Sequence, residues 1–128
     1  MIYLDSSVAL AQLLAEDRAP PVGLWREPLI ASRLLEYEVW NRLHARNLGR
    51  SHAEEARQLI ARVALVELAP PVLARALEPF PLVTRTLDAL HLATIDFLRA
   101  RGQAVELATY DDRLAAAARS MGIALAVV

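Results

Sequence analysis

The chain opens on a β-prone run, Ile2-Tyr3-Leu4, closed by the acid Asp5; Ser6-Ser7 then starts an Ala/Leu pattern that reaches about Ala15. The order is strand, turn, helix. Pro20-Pro21 ends that helix, a short second one carries Trp25, and Pro28 precedes a brief buried strand, Leu29-Ile30-Ala31. From Arg33 to about Asn47, Leu35, Val39 and Leu43 recur at helical spacing, with Tyr37 and Trp40 on a second stripe, and Gly49 stops the helix. Ser51 with Glu54 forms a capping-box signature for a helix to about Arg62. Ala64-Leu65-Val66-Glu67-Leu68 reads as a strand, and Pro70-Pro71 start a short helix with proline in its first turn. After Pro79-Phe80-Pro81 a long helix runs from about Thr86 to Arg101 and closes at Gly102. Val105 to Thr109 reads as a fourth strand, Asp111 to Met121 as a helix ended by Gly122, and Ile123 to Val128 as a last strand. Strands alternating with helices predict an α/β fold in three layers, α/β/α, around a central parallel sheet of about five short strands with right-handed crossovers.

Composition narrows the chemistry. The 128 residues suffice for one domain over 1–128 with a core that needs no disulfide or structural metal. Ala (24) and Leu (23) dominate, which favours helix. With no Cys, thiolate zinc sites, iron–sulfur clusters and thiol nucleophiles are excluded. All 14 basic residues are Arg, so Schiff-base chemistry and a P-loop lysine are excluded too. Against 15 acids they leave a charge of −1, too little for a general basic coat over nucleic acid. No basic segment precedes Asp5 and no apolar run approaches the ~18 residues of a membrane span, so the sequence predicts a cytoplasmic protein without a membrane segment.

In open parallel sheets, ligands bind beyond the carboxyl ends of the strands, near the point where strand order reverses. Asp5 closes the first strand and Asp111 lies just past the fourth, so the two converge if those strands are neighbours. Glu38 lies in the first turns of the helix after the second strand, and Asp88 heads the long helix before the fourth. Glu38 is flanked by Tyr37, Val39 and Trp40, and Asp88 by Leu87, Ala89 and Leu90. Acids in such apolar stretches need a partner, and a divalent cation compensates several at once. With three His and no Cys the donors are hard oxygens, which suit Mg²⁺ or Mn²⁺ and not Zn²⁺. Taken singly, each has a structural alternative: Asp111 as an N-cap, Asp88 as a first-turn acid, Asp5 as a turn residue. Glu38 is harder to explain structurally, since its neighbours leave it no solvated face. His91 reads as a packing or Asp-bonded histidine, Trp25 and Trp40 as core, and Asp17, Asp96, Glu54, Glu55 and Glu78 as solvated charges.

Four segments in order carry a family resemblance: Ile2-Tyr3-Leu4-Asp5-Ser6-Ser7-Val8-Ala9-Leu10, Ser32-Arg33-Leu34-Leu35-Glu36-Tyr37-Glu38-Val39, Leu87-Asp88-Ala89-Leu90-His91-Leu92-Ala93, and Leu107-Ala108-Thr109-Tyr110-Asp111-Asp112-Arg113-Leu114. Over nearly the whole chain the sequence resembles the PIN-domain ribonucleases, and within them the VapC toxins of toxin–antitoxin pairs. The resemblance implies a PIN-like sheet and a Mg²⁺- or Mn²⁺-dependent endoribonuclease whose metal is held by Asp5, Glu38, Asp88 and Asp111. Ser7 matches the family's small hydroxyl residue near the site, and Thr109 the threonine two places before the last acid; Asp112 remains the alternative to Asp111. Glu38 fits the second motif better than Glu36, which faces away on the helix. Arg113 departs from members that carry a further acid at that place. The implied partners are an RNA substrate and a small antitoxin, and the apolar surface of short helices predicts a two-fold homodimer. Two competitors are a phosphotransferase or receiver domain with an acceptor Asp, which lacks its lysine here, and a catalytically inactive PIN-like binding or assembly module.

Overall fold

The computed structural model describes all 128 residues. Five short strands, β1 (Ile2–Leu4), β2 (Leu29–Ser32), β3 (Val63–Val66), β4 (Glu106–Ala108) and β5 (Ala124–Leu125), form one sheet in the order β3-β2-β1-β4-β5. Every pairing is parallel. Six helices connect them: α1 (Ser6–Leu13), α2 (Leu34–Ala45), α3 (Ala53–Ala61), α4 (Pro70–Ala76), α5 (Thr86–Ala100) and α6 (Asp112–Ser120), with a 3₁₀ turn at Val22–Arg26.

Alternation along the strands makes the three layers, because successive strand side chains point to opposite faces. Leu4, Leu29, Ala31 and Ala108 enter one core cluster with Val8, Leu35, Val39, Leu43 and Leu59 of α1, α2 and α3. Tyr3, Ile30 and Leu107 enter the other, with Leu92, Ile95, Leu98, Leu114 and Ala118 of α5 and α6. Strands covered on both faces have no polar alternation, which is why Leu29–Ser32 reads as a continuous buried run. No helix is long and apolar enough to cross a membrane.

Several local expectations are corrected. β3, β4 and β5 are shorter than the sequence suggests, β5 most of all, whereas β2 runs one residue further, to Ser32. The Ser51/Glu54 capping box does not form: α3 begins at Ala53, and Ser51 Oγ bonds His52 Nδ1 instead. Helix α2 stops at Ala45 and the chain turns through Asn47 at φ +56°, before Gly49 is reached. Asp96 is no free surface charge, since it accepts from Arg75 Nε at 2.9 Å. After α6, Gly122 takes φ +72°, a left-handed conformation that costs an L-residue about 1–2 kcal/mol. Gly122→Ala should therefore lower unfolding stability by about that amount in a denaturant titration, with no steric clash contributing, the nearest atom being Arg99 Nη2 at 3.9 Å.

Candidate active site

The chain runs from β1 out to β2 and β3 on one side and returns to β4 and β5 on the other, so strand order reverses between β1 and β4. Tyr3 pairs with Leu107 and Leu4 with Ala108, so Asp5 and Thr109 are the next residues off adjacent strand ends. Asp5 is 5% exposed. Its Oδ2 accepts from Ser7 Oγ at 2.6 Å, Thr109 Oγ1 at 2.8 Å and the Ser7 amide at 3.4 Å, making it the N-cap of α1 as well. Ser7 Oγ accepts from the Tyr110 amide at 2.9 Å, and Thr109 Oγ1 from the Asp111 amide at 3.0 Å. The two hydroxyls thus tie the end of β1 to the loop after β4.

Asp111 caps α6, its Oδ1 accepting from the Arg113 and Leu114 amides at 2.9 and 3.2 Å. Its Oδ2 lies 3.4 Å from Arg85 Nη2, which also lies 3.5 Å from Asp88 Oδ2. The capping role and the shared neighbourhood therefore coexist in one residue. Asp112 is exposed and accepts no side-chain hydrogen bond. Glu36 turns to Arg33 at 3.3 Å. Burial raises the Asp88 carboxyl above the ordinary value of 3.8, and the charges of Asp111 and Asp5 raise it further, with Arg85 and His91 opposing.

Glu38 is held from below. Its Oε1 accepts from His91 Nε2 at 2.7 Å; His91 Nδ1 shares a 2.7 Å hydrogen bond with the Tyr3 hydroxyl, which accepts from the Ser32 amide at 3.0 Å. Tyr3 and His91 are both buried, and burial raises the phenol so far that it stays protonated. For His91 burial acts downward, but the hydrogen bond and charge of Glu38, with Asp5 and Asp88 beyond, outweigh it and lift the imidazole above 6.5. The histidine is therefore bonded to Glu38 and not to Asp88, a correction to the sequence reading. Its partner is 53 residues away, and a one-helix periodicity gave no signal of it. The contacts of Tyr3, Ser32 and Arg85 at this site likewise have no local signature in the sequence. Tyr3→Phe leaves the Ser32 amide and His91 Nδ1 without their partner, which should cost about 1–3 kcal/mol in thermal or urea unfolding.

The donor chemistry fits a hard dication. Asp5 Oδ1, Glu38 Oε2 and Asp88 Oδ1 receive no hydrogen bond from the protein, and none is sealed from solvent. No three carboxylate or imidazole groups close to coordination distance as they stand, with Arg85 lying between Asp88 and Asp111.

A parallel sheet with Asp5, Glu38, Asp88 and Asp111 placed near the carboxyl ends of its central strands defines an α/β protein with an acidic cleft at its switch point. The profile of the PIN domain family matches residues 2–120, and the chain belongs to that family. It is 34% identical over 127 residues to the ribonuclease VapC46 of Mycobacterium tuberculosis, covering 97% of this chain and 95% of that protein. Identity to the ribonuclease VapC47 of the same species is 29%, over 98% and 96% of the two chains. In fold it is similar to M. tuberculosis VapC20, a sarcin–ricin loop cleaving toxin (TM-score 0.66, 21% identity, 91% and 95% covered). It also resembles a chain of a toxin–antitoxin complex from Klebsiella pneumoniae (TM-score 0.64, 18% identity, 87% of each chain).

Proposed function

We propose that this chain is a metal-dependent PIN-domain endoribonuclease, the toxin of a toxin–antitoxin pair, and that Asp5, Glu38, Asp88 and Asp111 are its metal-binding acids. The observation that carries the reading is the setting of Asp88: it shares one guanidinium, Arg85, with Asp111 at 3.5 and 3.4 Å, and its carboxyl is raised by burial and by the charges of Asp111 and Asp5 from two further segments. Structural acids are normally matched by neighbours, whereas crowded acids of one sign mark a functional site.

A bound Mg²⁺ or Mn²⁺ supplies Lewis acidity at the phosphodiester and at the water that attacks it. Asp5, Glu38 and Asp88 offer it their free oxygens, with Asp111 beside them. Ser7 and Thr109 hold Asp5 in one rotamer, and His91, backed by Tyr3, does the same for Glu38. Arg85 and Arg113 line a hollow with Asp88, where they would meet the anionic substrate. We further propose that the 128 residues form one domain acting in the cytoplasm. A homodimer belongs to the same proposal, supported by the exposed Leu73, Leu77, Leu82 and Val83 on and after α4.

The test is incubation of the purified protein with RNA in Mn²⁺, with Mg²⁺ and EDTA arms, and mapping of the ends by primer extension. Defined internal ends that need the divalent ion support the reading. The inactive-module alternative draws on Arg113 and on Arg85 among the acids, and it requires intact RNA in every arm.

A further inference from the structure

We propose that the cleft between α1 and α2 is the track for a single-stranded RNA segment flanking the scissile bond, with Arg42 and Arg46 as its phosphate-binding residues and Arg18 on its outer wall. The inference rests on the nuclease reading above and adds where the strand runs.

Two hollows share a wall made by Leu10 of α1 and Arg42 of α2. The smaller reaches Glu38 and Asn41. The larger, about 520 Å³, is lined by Ser7, the residue that holds Asp5, together with Tyr110, Arg18 and Arg46. Together they join Glu38 and Ser7 to Arg42 and Arg46 across that shared wall, which offers a strand with its phosphodiester at Asp5 a way outward between α1 and α2. Arg42, in the last turn of α2, and Arg46, its C-cap, stand about one helical turn apart, on the order of 5–6 Å between Cβ atoms, and their long side chains can reach successive phosphates. Neither makes an ion pair or a side-chain hydrogen bond, in contrast to Arg33, Arg75, Arg85 and Arg99.

An arginine near a helix C-terminus is favoured by the helix dipole alone. Here the position has more to it: Arg42 walls both hollows, and the cleft that three guanidinium groups line leads to carboxylates. Glu16 and Asp17 also line the larger hollow and are themselves unpaired, so its excess positive charge is one. That modest excess suits a strand that is held locally and released after cleavage.

Single-stranded RNA is the occupant because Asp5 is 5% exposed. A rigid duplex cannot lower its backbone to so recessed a carboxylate, whereas an unpaired strand can. The Arg18 guanidinium lies 5.3 Å over the Tyr110 ring, a planar pair of the kind on which unstacked bases settle.

The test uses full-length protein carrying Asp5→Asn and a fluorescein-labelled single-stranded RNA of about ten nucleotides, with binding read by fluorescence anisotropy across a salt series. Adding Arg42→Ala and Arg46→Ala should weaken binding by roughly tenfold or more and reduce the slope of log K against log salt by about 1.4, two phosphates at about 0.7 each. Arg119→Ala, exposed on α6, should change neither. In the cleavage-competent protein the double variant should raise KM with kcat held, and circular dichroism should show an unchanged fold. Unchanged affinity, slope and KM would overturn the track, as would normal RNA binding with lost binding of an antitoxin, which would make the cleft a protein-docking groove. If wild-type protein cleaves RNA and the double variant does so with the same KM, only the track fails; if wild-type protein cleaves nothing, the nuclease reading fails first.

Discussion

Asp5→Asn is expected to reduce RNA cleavage by on the order of 10²–10⁴-fold, because it removes one charge from the ligand set and with it several kcal/mol of transition-state stabilisation. The fold should survive. The amide oxygen of asparagine still accepts from Ser7 Oγ and Thr109 Oγ1, so the tie between β1 and the loop after β4 persists, and the like-charge pressure on Asp88 falls. Purified wild-type and variant proteins with matched melting curves, assayed on one RNA in Mn²⁺, make the comparison. Cleavage by the variant within a few-fold of wild type would remove Asp5 from the site.

Mn²⁺ is expected to raise the melting temperature by an amount that shrinks as pH falls. At a concentration about 100 times Kd, linkage gives about 2.7 kcal/mol, which for a chain of this length is a shift on the order of 10 °C. Asp88 sets the sign of the pH dependence. Its folded value lies above 3.8, so without metal the ionised carboxylate is a cost to the folded state at pH 7 that is relieved as pH drops through the raised value. Acidification therefore helps the metal-free protein while protons compete with the cation, and the metal-induced shift declines from both ends. Asp88→Asn should be neutral or mildly stabilising without metal and should lose most of the Mn²⁺ shift. Differential scanning calorimetry between pH 5 and pH 8 measures both, and a pH-independent shift of equal size in the variant would place the metal elsewhere.

His91 provides a contrast in sign. Its value is raised, so the stability it contributes is complete below about pH 6.5 and is lost as pH climbs through the folded value. The Tyr3–His91–Glu38 chain consequently tightens on the acidic side, where the Asp88 carboxylate takes up its proton.

Much of the arrangement is local and was legible in the residues. Strand and helix alternation follows from period and from Pro and Gly punctuation, so the five-strand α/β fold, the placement of Asp5 and Asp111 at strand ends and the head position of Asp88 were all readable. The four-motif resemblance, which the family match bears out, added the expected activity. Helix ends were read less well, because a cap depends on backbone geometry: Ser51 turned to His52 although its spacing from Glu54 suited a capping box.

Long-range pairing had no signature along the chain. Whether β1 lies beside β4 decides whether Asp5 meets Thr109, 104 residues away, and only sheet closure settles that neighbourhood. The same closure buries Tyr3 against His91 and brings Glu38 to it, turning an ordinary strand tyrosine and a helix histidine into the support of an acid. Arg85 reaches Asp111 for the same reason. Residue types and the element each occupies are set locally, because propensity and periodicity act over a few residues. Tertiary structure alone decided which of them share a charge environment, since desolvation and Coulomb energy depend on distance in space and carry no trace in chain order.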